Sequence, residues 1–590
     1  MKRANDVYIV GSGIASLAVA VYLIRYKIVP PERVTIFESG ERYGGAMGAS
    51  MVDVPFSPAY PRRPRRGYVL PATRLLEEHY SCALDLFDCF PCVNDTSKTI
   101  AKDVIDFNRD CPYDDKARIL NSAREVVNDP SMGVSVTDGV SAVELILFKD
   151  EESCDGKAID DKTFGFSDQF FESQFFLSWA TMMGPLRKHS AIEFRRYFQR
   201  FLHVAPCADT MANVWRMRLN QDDGVVRPIL AWLQGRGVDA EGNMLTQSVD
   251  FRANTVVKAV NFVPDGGGMG HGPGIRAESI TVAPAAGSAS PDGAEQTIKL
   301  GEQDYVFVTL GSQTANLSVG SMDLCPPKVI APEKAWALWT QIRENVAGLG
   351  RHDFGDPEPF FNPKDPVNPK EPEKDPVLST WVTFTVTSNK PTFLDRLSGL
   401  TGNKPWQQGI VTLADSPWLL SVAPFPKPHF YGQPEDIWAW WGFSLCHDKP
   451  EASNLPGKYV RRKVTECSGS EILEETIRQF GFDSDLDDIL GSSVCIPCLL
   501  PHAGSVWLRR WQANRPKVVP DGASNFAFLG QFCEIPEDTM FTMEYSIRSA
   551  QVAIERLFDG PSPPAVYQGL KDPVAIGAAL ARFALNCPIH

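Results

Sequence analysis

Two short runs near the start of the chain consist of apolar and β-branched residues, VYIV at 7–10 and VTIF at 34–37, the second closed by Glu38. Such runs, bounded by Gly or charge, predict short strands buried on both faces. Between them, the residues from Ile14 to Arg25 carry apolar side chains at helical spacing. Strand, Gly-rich turn, helix and strand within ~30 residues make a βαβ unit, the start of a parallel sheet. The strand pattern returns at 255–263 (TVVKAVNFV), at 305–311 (YVFVTLG) and at 525–534 (NFAFLGQFCE), the last leading into a helix from about Thr542 to Leu557. These stretches are read as further pieces of the same domain, so other material must be inserted between its strands.

The inserted material has its own signals. Residues 264–300 are rich in Gly, Pro, Ala and Ser and read as an excursion between strands. Residues 332–347 have helical periodicity with Trp336 and Trp339, and the Pro-dense, mixed-charge stretch 355–376 predicts an extended surface loop. Aromatic residues crowd 164–203. That density fits either a plain core helix pair or helices around an apolar cavity. The expected fold is α/β: a discontinuous Rossmann-like nucleotide-binding domain with an inserted α+β domain and a helical C-terminal part. Its segments are 1–150 (with a loop at 61–80), 251–330 and 501–560 for the nucleotide-binding domain, 151–250 for a helical cavity region, 331–500 for the inserted domain, and 561–590 for the tail.

Composition narrows the partners. The 590 residues carry a formal net charge of −14, which argues against a nucleic-acid surface. Thirteen scattered cysteines form no disulfide framework, and no secretory signal precedes the first strand, so a cytoplasmic protein with reduced thiols is expected. Cys495 and Cys498 form the one tight pair and are read as buried core thiols, and no metal site is expected. No apolar run reaches the ~20 residues of a spanning helix. The apolar stretch from Val574 to Leu585 is read as a helix docked on the body or lying on a bilayer surface.

The first turn carries chemistry. Gly11 permits the tight turn, Gly13 lets backbone approach a pyrophosphate, and Ser16 is small enough for helix and strand to pack closely. The helix start at Ile14 and Ala15 then offers free N–H groups to the diphosphate. Glu38, followed by Ser39, ends the second strand, where a carboxylate accepts from an adenosine ribose. Glu41, Arg42, Gly44 and Gly45 match the ERxGG wrap of flavoproteins, so FAD is expected rather than NAD. The later strands add Val257, Gly311, Ser312, Gly530 and Glu534 to the expected cofactor set.

Seven long collinear segments carry a resemblance to a known family: YIVGSGIASLAVAVYLIR (8–25), GYVLPATRLLEEHYSCALDLF (67–87), HSAIEFRRYFQRFLH (189–203), NQDDGVVRPILAWLQGRGV (220–238), GIVTLADSPWLLS (409–421), CIPCLLP (495–501) and NFAFLGQFCEIPEDTMFTMEYSIRSAQVA (525–553). The chain resembles the FAD-dependent oleate hydratases, also called myosin-cross-reactive antigens. The resemblance implies a long-chain unsaturated fatty acyl substrate and addition of water to a cis double bond without net redox change. It implies Tyr197 as the general acid, Gln221 as a residue that helps hold substrate, and Thr401 and Asn403 as members of a carboxylate-recognition set. The family often dimerises, so a homodimer is one expected assembly, and peripheral membrane contact through the tail is another.

The departures from the family pattern bear on the chemistry. The flavin-proximal loop of the family reads RGGRE, and here the stretch is Pro71-Ala72-Thr73-Arg74-Leu75. Arg74 survives, the glycine pair is gone, and the water-activating glutamate is Leu75, which accepts no proton. In the earlier glycine segment GGAMGAS (44–50), Gly48 replaces the Asp typical of GGSLDG in the family. Glu77 and Glu78 follow at once and are either substitute bases or solvated acids. On a helix starting here, Glu78 would lie close to one turn from Leu75. Arg62, Arg63, Arg65 and Arg66 precede the loop and are read as partners of an acidic head group or as a solvated turn. With the base lost, double-bond isomerisation on the same scaffold stands beside hydration, and lipid binding without turnover and flavin redox chemistry are the readings from other classes.

Overall fold

Strand Val7–Val10 pairs in parallel with Val34–Phe37 on one side and with Tyr305–Thr309 on the other. Phe526–Leu529 and Asp250–Arg252 complete a five-stranded parallel sheet in the order 526–529, 305–309, 7–10, 34–37, 250–252. The computed structural model describes residues 1–266, 274–285, 294–329, 334–361, 376–404, 407–445 and 456–584. A parallel sheet needs both faces covered. Helices Ile14–Arg25 and Met543–Phe558 pack against each other over it, and the inner strands are almost wholly buried. This is a Rossmann-like α/β fold drawn from widely separated parts of the chain.

The stretch 255–263 does not join that sheet. It belongs to Thr255–Asp265, which pairs antiparallel with Gly274–Pro284, itself paired with Gln296–Lys299. The stretch 264–300 is therefore partly strand rather than an irregular excursion. The β-branched residues at 275, 280, 281 and 282 outweigh the Gly and Pro of the flanks, while 267–273 and 286–293 lie outside the described residues. Part of the Pro-dense loop is also ordered. Helix Glu358–Phe361 buries Phe360 against Trp339 and Phe532, at centroid distances of 5.8 and 5.3 Å, and 362–375 lie outside the described residues. Trp339 sits on helix Lys334–Ala347, as its periodicity predicts.

A seven-stranded mixed sheet forms the second layer, in the order 318–319, 493–500, 381–388, 438–444, 421–424, 411–413, 119–120. Cys495 and Cys498 lie on its fully buried strand Ser493–Leu500, and burial pushes the Cys498 thiol up to about 12. One feature of this sheet positions the site. Thr383, Thr385 and Thr387 alternate along Trp381–Ser388 and so share one face. Thr387 and Thr385 hydroxyls each accept from the backbone N–H of Tyr68 and Leu70 at 2.9 Å, and Thr383 donates to the Pro71 carbonyl at 2.8 Å. Trp441 Nε1 donates to the Leu70 carbonyl at 3.0 Å. Hydroxyls thus fix the backbone that leads from strand Arg66–Val69 into the loop carrying Arg74 and Leu75.

Helices Asp168–Glu172 and Gln174–Met183 are short because Ser167 and Ser173 cap each one, accepting from Phe170 and Phe176 N–H. The crowded aromatics settle as core: Phe166 stacks on Phe170 at 4.4 Å, and Phe194 meets Phe198 at 4.9 Å on helix Ala191–Arg200. Helix Pro573–Ala584 docks on this layer. Ala575 and Arg582 are buried, Arg582 pairs with Asp209, and Phe583 meets Phe175 edge-on at 5.1 Å. Among the described residues no helix is long and apolar enough to cross a membrane.

Candidate active site

A cavity of about 1460 Å³ opens along the C-terminal ends of the parallel strands, where such sheets bind ligands. Gly11, at φ +92°, turns the chain out of the first strand. Gly13 caps helix Ile14–Arg25 with no side-chain hydrogen bond to its first turn, so those N–H groups face the cavity unpaired by a cap. Ser16 does not line the cavity. Its hydroxyl lies 2.8 Å from that of Thr309, and its small size brings helix and strand together, the role its position implies. Gly45, at φ +57°, closes the far side of the turn, where an added Cβ would stand 2.9 Å from Gly13 Cα.

Glu38 accepts from the Ser12 hydroxyl at 2.5 Å and the Gly40 N–H at 2.8 Å, and Ser39 donates to it at 3.3 Å. These bonds fix the carboxylate at the cavity wall with acceptor capacity to spare. Ile14, Ala15, Arg42, Gly44, Val257, Gly311, Ser312 and Gly530 line the same space. The cradle fits a dinucleotide: backbone N–H for the diphosphate, a carboxylate for a ribose, and glycines where any side chain would fill the space. Glu534 is not part of it. Its carboxylate turns inward to Arg196 at 2.6 Å and Arg510 at 3.3 Å, because three buried guanidinium groups compete for it there.

A second, smaller cavity of about 100 Å³ abuts the first. Arg74 and Thr542 line both, so the two spaces meet at the loop after Pro71 and at the start of helix Met543–Phe558. Tyr197 lines the small cavity, and its hydroxyl donates to the Met540 carbonyl at 2.5 Å. Burial, then the nearby Tyr80, Glu193 and Asp538, push its phenol well above the usual range, with Arg74 opposing. Tyr197 is therefore a neutral proton donor across the physiological range. Burial pushes Arg74 down to about 10, so it stays a cation at neutral pH. Gln221 also lines this cavity and donates to the Arg74 carbonyl at 2.9 Å. Leu75 contributes only apolar surface.

Several sequence expectations place residues elsewhere. Residues 74–80 are not helical, so Glu78 gains no helical proximity to Leu75, and it is exposed on the outside of the loop. Glu77 is buried but faces away from the small cavity, accepting from Arg200 at 2.6 Å and from His79 Nδ1 at 2.8 Å. Burial alone would raise it; hydrogen bonds from His203 and His79 and the charge of Arg200 hold it well below the carboxylate range, which makes it a poor base. Ligand-type atoms of Glu77, His79 and His203 lie within 4.8 Å of one another, but the Arg200 contact makes the cluster an ion-pair network. Tyr567 stacks on His79 at 3.6 Å and anchors the C-terminal segment to this loop.

Thr401 and Asn403 line neither cavity. The Thr401 hydroxyl donates to the Leu397 carbonyl, and Asn403 Oδ1 accepts from the N–H groups of Lys116 and Ala117, so both act as a helix-end brace. The four arginines are a solvated turn: Arg66 pairs with exposed Asp53, Arg65 covers Phe56, and Arg63 bonds the Leu490 carbonyl. Conversely, Arg216, His429 and Phe541 line the small cavity without any sequence signal to mark them. Each comes from a different segment, and only folding brings them to Tyr197.

Residues 4–554 match the MCRA family. An oleate hydratase of Streptococcus pyogenes serotype M49 (strain NZ131) is 31% identical over 571 residues, covering 94% of this chain and 85% of that protein. A linoleate hydratase of Lactiplantibacillus plantarum is 24% identical over 570 residues, covering 92% of each. Among solved structures, a putrescine oxidase bound to putrescine superposes with a TM-score of 0.49 at 13% identity, covering 95% of this chain and 100% of that one. A match that spans both cavities, from the first glycine turn to the helix that starts at their junction, leaves one conclusion: the chain belongs to the MCRA family.

Proposed function

We propose that the chain is an FAD-dependent hydro-lyase that adds water across a carbon–carbon double bond of an unsaturated fatty acid or similar lipophilic chain, with no net redox change. The observation that carries this reading is the junction of the two cavities, where Arg74 joins the dinucleotide cradle to a small pocket lined by Tyr197. The similarity to an oleate hydratase and a linoleate hydratase supports the same substrate class. The flavin, when bound, shapes and polarises the site.

The chain's own residues divide the remaining work. Tyr197 gives its hydroxyl proton to one alkene carbon, and the oxygen of a water bonds to the other. Arg74, charged and partly desolvated, steadies the phenolate that this leaves. Trp381, Trp441 and Phe443 exclude bulk water and present an apolar wall to the chain. The free volume is below the ~300–1,000 Å³ usual for ligand pockets. A long chain therefore enters by displacing side chains, and Met182, Met183 and Met217 are unbranched enough to move.

Oleic acid incubated with the purified protein in heavy-oxygen water tests the reading. The expected product is a hydroxy fatty acid with one labelled oxygen, formed without an electron acceptor. An unlabelled alkene with a shifted double bond, or a strict need for an acceptor, would overturn it. The cofactor assignment has its own test. Gly45→Val is expected to yield folded protein purified without flavin absorbance, because the left-handed backbone and the 2.9 Å approach to Gly13 leave no room for a branched side chain. A full flavin complement in that variant would remove Gly45 from the cradle.

A further inference from the structure

The acid at Tyr197 is held by a backbone group. Its hydroxyl donates to the Met540 carbonyl at 2.5 Å. That carbonyl and the N–H of Phe541 belong to one planar peptide unit, so fixing either end fixes the other. The N–H end donates to Oε1 of Gln531. Gln531 follows Gly530, which at φ +89° turns the chain out of strand Phe526–Leu529, and it lines the large cavity. Two hydrogen bonds and one peptide thus connect the wall of the dinucleotide cradle to the general acid.

The peptide in this bridge is strained. Phe541 sits at φ +68°, in the left-handed region, where a residue with a bulky side chain is destabilised by about 1–3 kcal/mol. Such a conformation persists only where its surroundings impose it. Gln531 supplies that constraint. Its amide nitrogen donates to the Thr542 carbonyl and to the Ser546 hydroxyl, each at 2.7 Å. A carbonyl only accepts and a backbone N–H only donates, so the amide has one orientation and its oxygen faces Phe541. The Thr542 hydroxyl accepts from the Tyr545 N–H at 3.1 Å and caps helix Met543–Phe558, which anchors the segment from the other end. The Phe541 ring lines the small cavity, lies 5.3 Å from the Arg74 guanidinium and meets Trp381 at 5.4 Å. Residues 540 and 541 therefore place both the hydroxyl of the acid and the cation that steadies its phenolate.

We propose that Gln531 is the positioning residue of the general acid: from the wall of the dinucleotide cavity it locks the Met540–Phe541 peptide so that the Met540 carbonyl holds the Tyr197 oxygen in place for proton transfer. This rests on the hydratase reading above. With the oxygen held, rotation about its bond to the ring swings the hydrogen from the carbonyl to the alkene without moving the ring. Gln531 exchanges no proton, and its effect reaches the reaction only through residues 540 and 541. Without it, the strained peptide relaxes toward ordinary negative φ, and its carbonyl turns away from the phenol.

Gln531→Met keeps an unbranched side chain of similar length and removes both polar atoms. With oleic acid in heavy-oxygen water, the variant is expected to lose about 10²-fold in kcat for labelled product per bound flavin, as a ~1 Å misplacement does, with KM near that of the parent. Loss through Tyr197 has a signature that loss of packing lacks: added to Tyr197→Phe, the substitution lowers kcat no further. Unchanged kcat in the single variant, or losses that multiply in the double one, overturn the role. A measurement without turnover decides the matter equally if Gln531→Met does not fold. The two ends of the peptide are coupled reciprocally, so Tyr197→Phe is expected to speed amide hydrogen exchange at Phe541 by more than it speeds exchange in strand Phe526–Leu529. Equal changes at the two places overturn the bridge. Absence of label in the product of the parent protein overturns the hydratase reading instead and leaves the exchange result standing, so the two failures are distinct.

Discussion

Replacing Tyr197 by phenylalanine is expected to lower kcat for hydration by about 10²–10⁴-fold, the usual contribution of a positioned acid. The ring stays in place, because its packing against Trp507 at 4.5 Å and Phe201 at 5.3 Å does not involve the hydroxyl. KM and flavin content should therefore hold, since the phenol adds nothing to the dinucleotide cradle. The lost donor leaves the Met540 carbonyl unpaired in a buried site, a stability loss of about 1–3 kcal/mol that urea unfolding would register separately. The pH profile gives a second reading. A phenol held well above its usual range stays protonated through the neutral range, so the rate in the parent protein is expected to be flat there. A rate in Tyr197→Phe within a few-fold of the parent would remove Tyr197 from the chemistry.

The largest expected effect on stability is at Glu193, four residues before Tyr197 on the same helix. Its carboxylate is fully buried, accepts from Arg510 at 2.6 Å and pairs with Arg515 at 3.2 Å. Arg196 pairs with Glu151 and Glu534 at 2.6 Å each, and Arg510 also reaches Glu534. Glu193→Gln leaves buried guanidinium groups short of counter-charge and is expected to cost about 3–5 kcal/mol, read from the urea midpoint and slope at neutral pH. Burial opposes ionisation of Glu193, but Arg515, Arg510 and Arg196 outweigh it and hold the carboxyl down at about 2, against an ordinary value of 4.5. A depressed folded-state value means the stabilisation is complete above about 4.5 and is lost as the pH falls from there through about 2. The parent should lose stability across that window, and the glutamine variant should lose less. Superposable curves would show that the network adds nothing. The same network holds the helix that presents Tyr197, so its partial failure in acid should reduce activity before global unfolding.

Much of the cofactor side was legible from local pattern. Strand, glycine turn, helix and strand are contiguous, and the requirements at Gly11, Gly13, Gly45 and Glu38 are backbone and short-range ones that residue type records directly. Where the reading went astray, the determinant was remote. The stretch 255–263 has the composition of a buried parallel strand, but its partner is the hairpin at 274–284, and pairing is decided by what lies alongside. Glu534 follows a strand and glycine as a cofactor ligand would, but the buried arginines beside it claim its carboxylate.

The sequence by itself determined the class of fold, the dinucleotide cradle and the loss of the expected base at Leu75, because each is written in neighbouring residues and in a collinear family pattern. Tertiary structure alone decided which side chains share the small cavity with Tyr197. His429 is separated from Tyr197 and Arg74 by hundreds of residues, and its tautomer depends on one carbonyl at Arg218. A side chain's proton affinity and free valence are set by burial and by partners that only folding assembles, so they are invisible to any local reading of the chain.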